Sequence, residues 1–245
     1  MRINLPGYLP PLALGLAAML LGACSNDPDP FPVNPPPPPA MATFDVTVTN
    51  LTNAQPLSPV AVIAHQAAYA VFDIGAPASA GLEELAEGGD NTSVLAEADA
   101  DAAVFASASG GGPIGPAGSE TISITVLERE LPDLLVSTST MLVNTNDAIT
   151  GANGVAIGAL AAGESVELYT IAYDAGTEAN TELATSIPGP AGGGEGFNAM
   201  RDDRADRVAM HSGIVGQDDG LATSDLTIQH RFDNPVSAVR IERIN

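Results

Sequence analysis

The chain has 245 residues, with 30 acidic side chains against 8 basic ones, all of them arginine, and a formal net charge of −22. Such a surface repels a phosphate backbone, which sets nucleic-acid binding aside, and it attracts cations. Cys24 is the single cysteine, so the fold has to stand without disulfides or thiolate metal sites, on its core alone or on its core and a bound ion.

Residues 12–24 read Leu-Ala-Leu-Gly-Leu-Ala-Ala-Met-Leu-Leu-Gly-Ala-Cys. An apolar run closed by Leu-Gly-Ala-Cys matches a bacterial lipoprotein signal, in which small Gly22 and Ala23 admit the peptidase and the Cys24 thiol takes the acyl anchor. The run holds about a dozen apolar residues, short of the roughly 20 that span a bilayer. Residues 1–23 are therefore expected to be a signal peptide, with the mature chain lipid-anchored at Cys24 in the bacterial cell envelope. Ser25 after the cysteine favours the outer membrane, facing the periplasm or the surface.

Residues 24–41 carry Asp-Pro-Asp-Pro-Phe-Pro and then five prolines, Pro35 to Pro39. Proline fixes φ and removes amide donors, so an extended tether is expected here, with one folded domain over residues 42–245.

From Thr43 the pattern becomes strict alternation. Phe44, Val46 and Val48 point one way, and Asp45, Thr47 and Thr49 the other, as in a half-buried strand. Further strands are expected at 60–64, 70–74, 121–128, 134–143, 165–172, 207–211, 226–232 and 238–244. Residues 81–87 and 92–100, rich in Ala, Leu and Glu, read as short helices in a crossover. The stretches 102–118 and 188–196, rich in glycine, read as loops. Many strands separated by Gly, Pro, Asn and Asp indicate an all-β antiparallel sandwich.

Two strand-to-loop segments carry the candidate chemistry. One is Val143-Asn-Thr-Asn-Asp147-Ala-Ile-Thr-Gly151, and the other Tyr173-Asp174-Ala-Gly-Thr-Glu178. Asp174 and Glu178 stand four apart around Gly176, which permits a tight turn that aims both carboxylates at one point. Calcium asks for six to eight oxygen ligands, many of them carboxylates. In a chain this acidic the alternative is a solvated turn pair. Asp202, Asp203, Asp206, Asp218 and Asp219, near Arg201, Arg204 and Arg207, read as local salt bridges in a solvated loop, with a second cation site as the alternative.

Together these two segments resemble the spondin domain family. The first matches that family in its Val, Asp and Gly, and the second nearly throughout. The likeness extends to Asn50-Leu-Thr-Asn-Ala-Gln-Pro-Leu-Ser-Pro-Val and to His211-Ser-Gly-Ile. It implies an antiparallel sandwich of about eight strands, C2-like, holding calcium (Ca2+) through Asp147, Asp174 and Glu178. The family's tryptophans are replaced by Ala148 and Tyr173, and Glu178 stands where Asp is usual.

The three histidines, His65, His211 and His230, lack zinc-ligand spacing. His65 reads as a strand-end residue, His211 as a structural hydrogen-bonding group, and His230 as one face of a strand. Neither a nucleophile elbow nor a phosphate loop is present. The expectation is a non-enzymatic calcium-binding adhesion or binding module. It would be partnered by the membrane through Cys24 and by an envelope or matrix protein or glycan. A structural or assembly lipoprotein is the alternative, and an extracytoplasmic hydrolase with an unrecognised site the third.

Overall fold

The computed structural model describes residues 36–200 and 205–245. The signal, Cys24 and most of the proline tether lie outside the described residues, as do Arg201, Asp202, Asp203 and Arg204. Residues Pro39–Asn245 form one compact unit. No helix among the described residues is long and apolar enough to cross a membrane.

The first strand, β1 (Met41–Asn50), buries every second side chain, as its alternation requires. It pairs antiparallel with β4 (Ser119–Leu127) on one side and β11 (Ser237–Arg243) on the other, and β8 (Ser165–Thr170) completes a four-stranded sheet in the order β4-β1-β11-β8. Register lines the apolar residues into rows. Val46 faces Ile122 on one neighbour and Ile241 on the other, and Ile241 in turn faces Val166. Any one-residue slip would turn this whole face to solvent.

A seven-stranded sheet packs on that face. Its order is β10 (Ala209–Met210), β9 (Ala172–Asp174), β6 (Ala148–Thr150), β5 (Leu135–Met141), β2 (Ala61–His65) and β3 (Val104–Ser109), with β7 (Val155–Ala156) also pairing with β5. Val60, Val62, Ala64, Val136, Ala148 and Ala172 meet Phe44, Val46, Ile124 and Val239 between the sheets. The fold is thus an all-β antiparallel sandwich, with eleven strands among the described residues where about eight were expected.

The opposite face of the larger sheet is covered by α1 (Ala80–Gly88) and α2 (Thr92–Ala100). Leu82, Leu85, Val94 and Ala98 pack there on Ala61, Ile63 and Ile149. Ser79 caps α1 by accepting the Leu82 amide, and Glu97 of α2 accepts the Gly81 amide at 2.7 Å. A Cβ on Gly81 would lie 2.6 Å from the Val94 nitrogen, so glycine is what lets the two helices touch.

Four expectations are corrected. Residues 102–118 contain β3. Residues 70–74 form no strand beyond a single bridge from Ile74 to Val208. Residues 226–232 hold a 3-10 turn, Ile228–His230, because the His230 ring accepts the Thr227 amide at 3.1 Å and closes the backbone locally. His230 is therefore not on a strand. The fourth correction is at 165–172, which breaks at Ile171. Its first part (β8) lies in the small sheet and its continuation (β9) in the large one, which makes this segment a corner of the sandwich.

Candidate metal centre

The loop between β5 and β6 is polar and buried. Asn144, Thr145, Asn146 and Asp147 are all 3% exposed or less. A buried loop must satisfy its polar groups; here Asn144, Asn146 and Asp147 do so largely by tying distant segments, while Thr145 closes the loop on itself. Asn144 donates to the Ala54 carbonyl and accepts the Ala191 amide. Thr145 accepts the Ala148 amide at 3.0 Å, and Asn146 donates to Ser186 at 2.9 Å while accepting the Glu182 amide. The glycine-rich 188–196 stretch is laid over this hub: a Cβ on Gly189 would stand 2.2 Å from the Val143 carbonyl oxygen.

Asp147 ends the loop. Its Oδ2 accepts the backbone amides of Thr177 at 2.9 Å and Glu178 at 3.1 Å, so the 174–178 turn is wrapped around this carboxylate. Gly176 makes the wrap possible. Its φ is +74°, and a Cβ there would lie 2.4 Å from the Arg207 carbonyl oxygen. Gly151, at the far end of β6, is equally constrained, because a Cβ would sit 1.9 Å from the Thr138 oxygen.

The β6–β9 ladder pairs Ala148 with Asp174, which puts Asp174 beside Asp147 across the strands. Burial first, and then the charges of Asp174 and Glu178, push the Asp147 carboxyl up to about 7, against the pull of the two amides. Its Oδ1 is buried and has no hydrogen-bond partner among the described residues. Asp174 takes the Gly176 amide on Oδ1 at 2.8 Å and the Asn180 side-chain amide on Oδ2 at 2.6 Å. Glu178 is 6% exposed.

The three expected ligands are thus neighbours that feel one another's charge. They are not drawn into a closed ligand set, and among the described residues no group of three or more His, Cys, Asp or Glu is. The donor chemistry nonetheless suits a hard divalent cation: three carboxylates, one of them with a buried oxygen that has no hydrogen-bond partner among the described residues.

Two further groups belong to this region. His211 follows β10, its amide donates to the Ala172 carbonyl, and its ring packs on Phe232. The expected hydrogen bond is there, since Nδ1 accepts the Gly213 amide at 2.9 Å. Glu182 is 3% exposed, accepts the Val215 amide, and is held above the usual carboxylate range by burial. Sequence spacing gave no signal for Glu182 or Thr177, whose contacts depend on chain segments far away in sequence.

Elsewhere, Ser137 Oγ lies 2.7 Å from His65 Nε2, and His65 Nδ1 lies 2.9 Å from the Gln66 carbonyl. Ser137 also accepts the Gly154 amide at 2.9 Å. Both side chains are fully buried, so the pair ties β2 and β5 to the 153–154 turn. A cavity of about 560 Å³ lined by Gln66, Pro132, Leu135 and Ala159 includes neither residue, nor any expected metal ligand. In the acidic 216–231 region, Asp219 pairs with Arg231 at 2.9 Å, and Asp218 accepts the Ile228 amide. Those carboxylates serve local structure.

No family model matches the chain, and no curated protein matches it.

Proposed function

We propose that the chain is a lipid-anchored envelope module whose sandwich binds calcium at Asp147, Asp174 and Glu178 and acts by adhesion or binding rather than catalysis. The observation that carries the ion is Asp147 Oδ1, an oxygen sealed from solvent, without a hydrogen-bond partner among the described residues, on a carboxyl that feels the charges of two more carboxylates. A divalent cation would remove their mutual repulsion and clamp the β5–β6 loop to the 174–178 turn. In a chain without disulfides, such a clamp adds stability that grows with the logarithm of the free calcium concentration above the dissociation constant. The anchor rests on Cys24 and its preceding apolar run, and the binding role on the resemblance to spondin domains.

Calcium titration followed by thermal unfolding tests the ion. The midpoint rises with calcium in the wild-type chain and stays put in Asp174→Ala. A wild-type midpoint unmoved by millimolar calcium overturns the proposal. Cys24→Ala tests the anchor, since it should release the protein from the membrane fraction.

A further inference from the structure

Resting on the cation site proposed above, a second buried and unpartnered atom defines how that site is held. His211 is 4% exposed, and its Nε2 has no hydrogen-bond partner among the described residues. Because Nδ1 accepts the Gly213 amide at 2.9 Å, the ring's proton must sit on Nε2. Burial holds the imidazole below its ordinary value, while the Asp174 charge pulls the other way. His211 therefore presents a lone N–H donor, not a lone pair.

Register says what that donor faces. The His211 amide bonds the Ala172 carbonyl, and Ala209 pairs with Asp174, so His211 and Asp174 are diagonal neighbours on one face of the β9–β10 pair. Such diagonals lie roughly 7–8 Å apart at Cα, within reach of long side chains. Asp174 thus has an acceptor unsatisfied among the described residues, Asp147 Oδ1, just before β6 on one side, and a donor equally unsatisfied, His211 Nε2, just after β10 on the other. Asp147 Oδ1 and His211 Nε2, each buried and without a hydrogen-bond partner among the described residues, belong to groups on either side of this one carboxylate.

We infer that His211 is the positioning residue of the cation site, donating from Nε2 to Asp174 when a cation draws that carboxylate toward Asp147. One Asp174 oxygen would then serve the ion and the other the imidazole, and both unpartnered atoms would be satisfied together. The same tautomer bars the ring from ligating a metal through Nε2 while Nδ1 stays bonded to Gly213. The site therefore takes an oxygen-preferring ion over zinc or copper.

The test compares His211→Asn, which keeps an acceptor near Gly213 but lacks reach to Asp174, with His211→Gln, which reaches with an N–H. Calorimetric titration of the full chain with calcium chloride should show affinity reduced about tenfold or more in the Asn variant and held within about threefold in the Gln variant. Nitrogen-15 NMR of the wild-type imidazole should show Nε2–H without metal and a downfield, hydrogen-bonded Nε2 proton with calcium. This second readout decides the matter even if a variant fails to fold. Equal calcium affinity in wild type and Asn variant, or an Nε2 proton unmoved by bound calcium, overturns the role of His211 and leaves the ion site standing. Absence of calcium binding in wild type removes the site and this role with it.

Discussion

Asp147 and Asp174 are held side by side by the pairing of two three-residue strands, with Ala148 directly across from Asp174, and the charge of Asp174 raises the Asp147 carboxyl. A fold free to choose would not seal an acid at 0% exposure next to a second carboxylate. The backbone goes further and turns the Thr177 and Glu178 amides onto one of its oxygens, leaving the other unbalanced.

The pH dependence follows. The Asp147 carboxyl titrates near 7 in the folded chain and near 3.8 unfolded, so the native state holds the proton more tightly. The contribution of Asp147 to the stability of the metal-free chain should therefore fall as pH rises from about 4 to about 7, with the cost fully present above that window. Calcium binds the ionised form and offsets this cost. Its effect on the unfolding midpoint should be larger at pH 8 than at pH 5, as scanning calorimetry at both values would show.

Asp147→Asn separates charge from shape. The Asn oxygen can still accept the Thr177 and Glu178 amides, and its nitrogen takes the place of the unpartnered oxygen, facing two carboxylates. At pH 8 without metal, the variant should match or exceed wild type by about 1–2 kcal/mol. Its calcium-induced shift should disappear. Denaturant unfolding with and without calcium measures both.

Gly176→Ala should act on the turn itself. Adding a Cβ at φ +74°, 2.4 Å from the Arg207 oxygen, should cost about 2–4 kcal/mol and weaken calcium binding with it. Urea denaturation and calcium titration of the same variant check both effects.

Ser137→Ala serves as the contrast. It strips His65 Nε2 and the Gly154 amide of a buried partner, so stability should drop by about 1–3 kcal/mol. The calcium-induced shift should be unchanged, because none of these groups touches Asp147.

Much of the sandwich was legible from alternation alone. β1, β4 and β11 each place apolar residues at every second position, and α2 announces itself by its composition. What escaped lacked that signal. In β3 the small residues Ala106, Ser107, Ala108 and Ser109 look like loop, and the strand exists because β2 and α2 offer it surfaces. The break at Ile171 is equally silent in sequence. It is stabilised from outside, by the Thr150 hydroxyl on the Ile171 carbonyl and by Asn234 accepting the Ala172 amide. At the site, the spacing of Asp174, Gly176 and Glu178 anticipated the turn. That Asp147 is buried, and that its loop is a hub for segments as distant as Ala54 and Ala191, depends on tertiary contacts no local pattern records.

The central claim is that Asp147, Asp174 and Glu178 share a divalent ion. Anomalous diffraction from a calcium-soaked crystal of the protein tests it most directly. The account requires a single peak bonded to oxygens of Asp147 and Asp174, with Glu178 closing the set. A crystal grown in calcium with no anomalous peak between these carboxylates would contradict it.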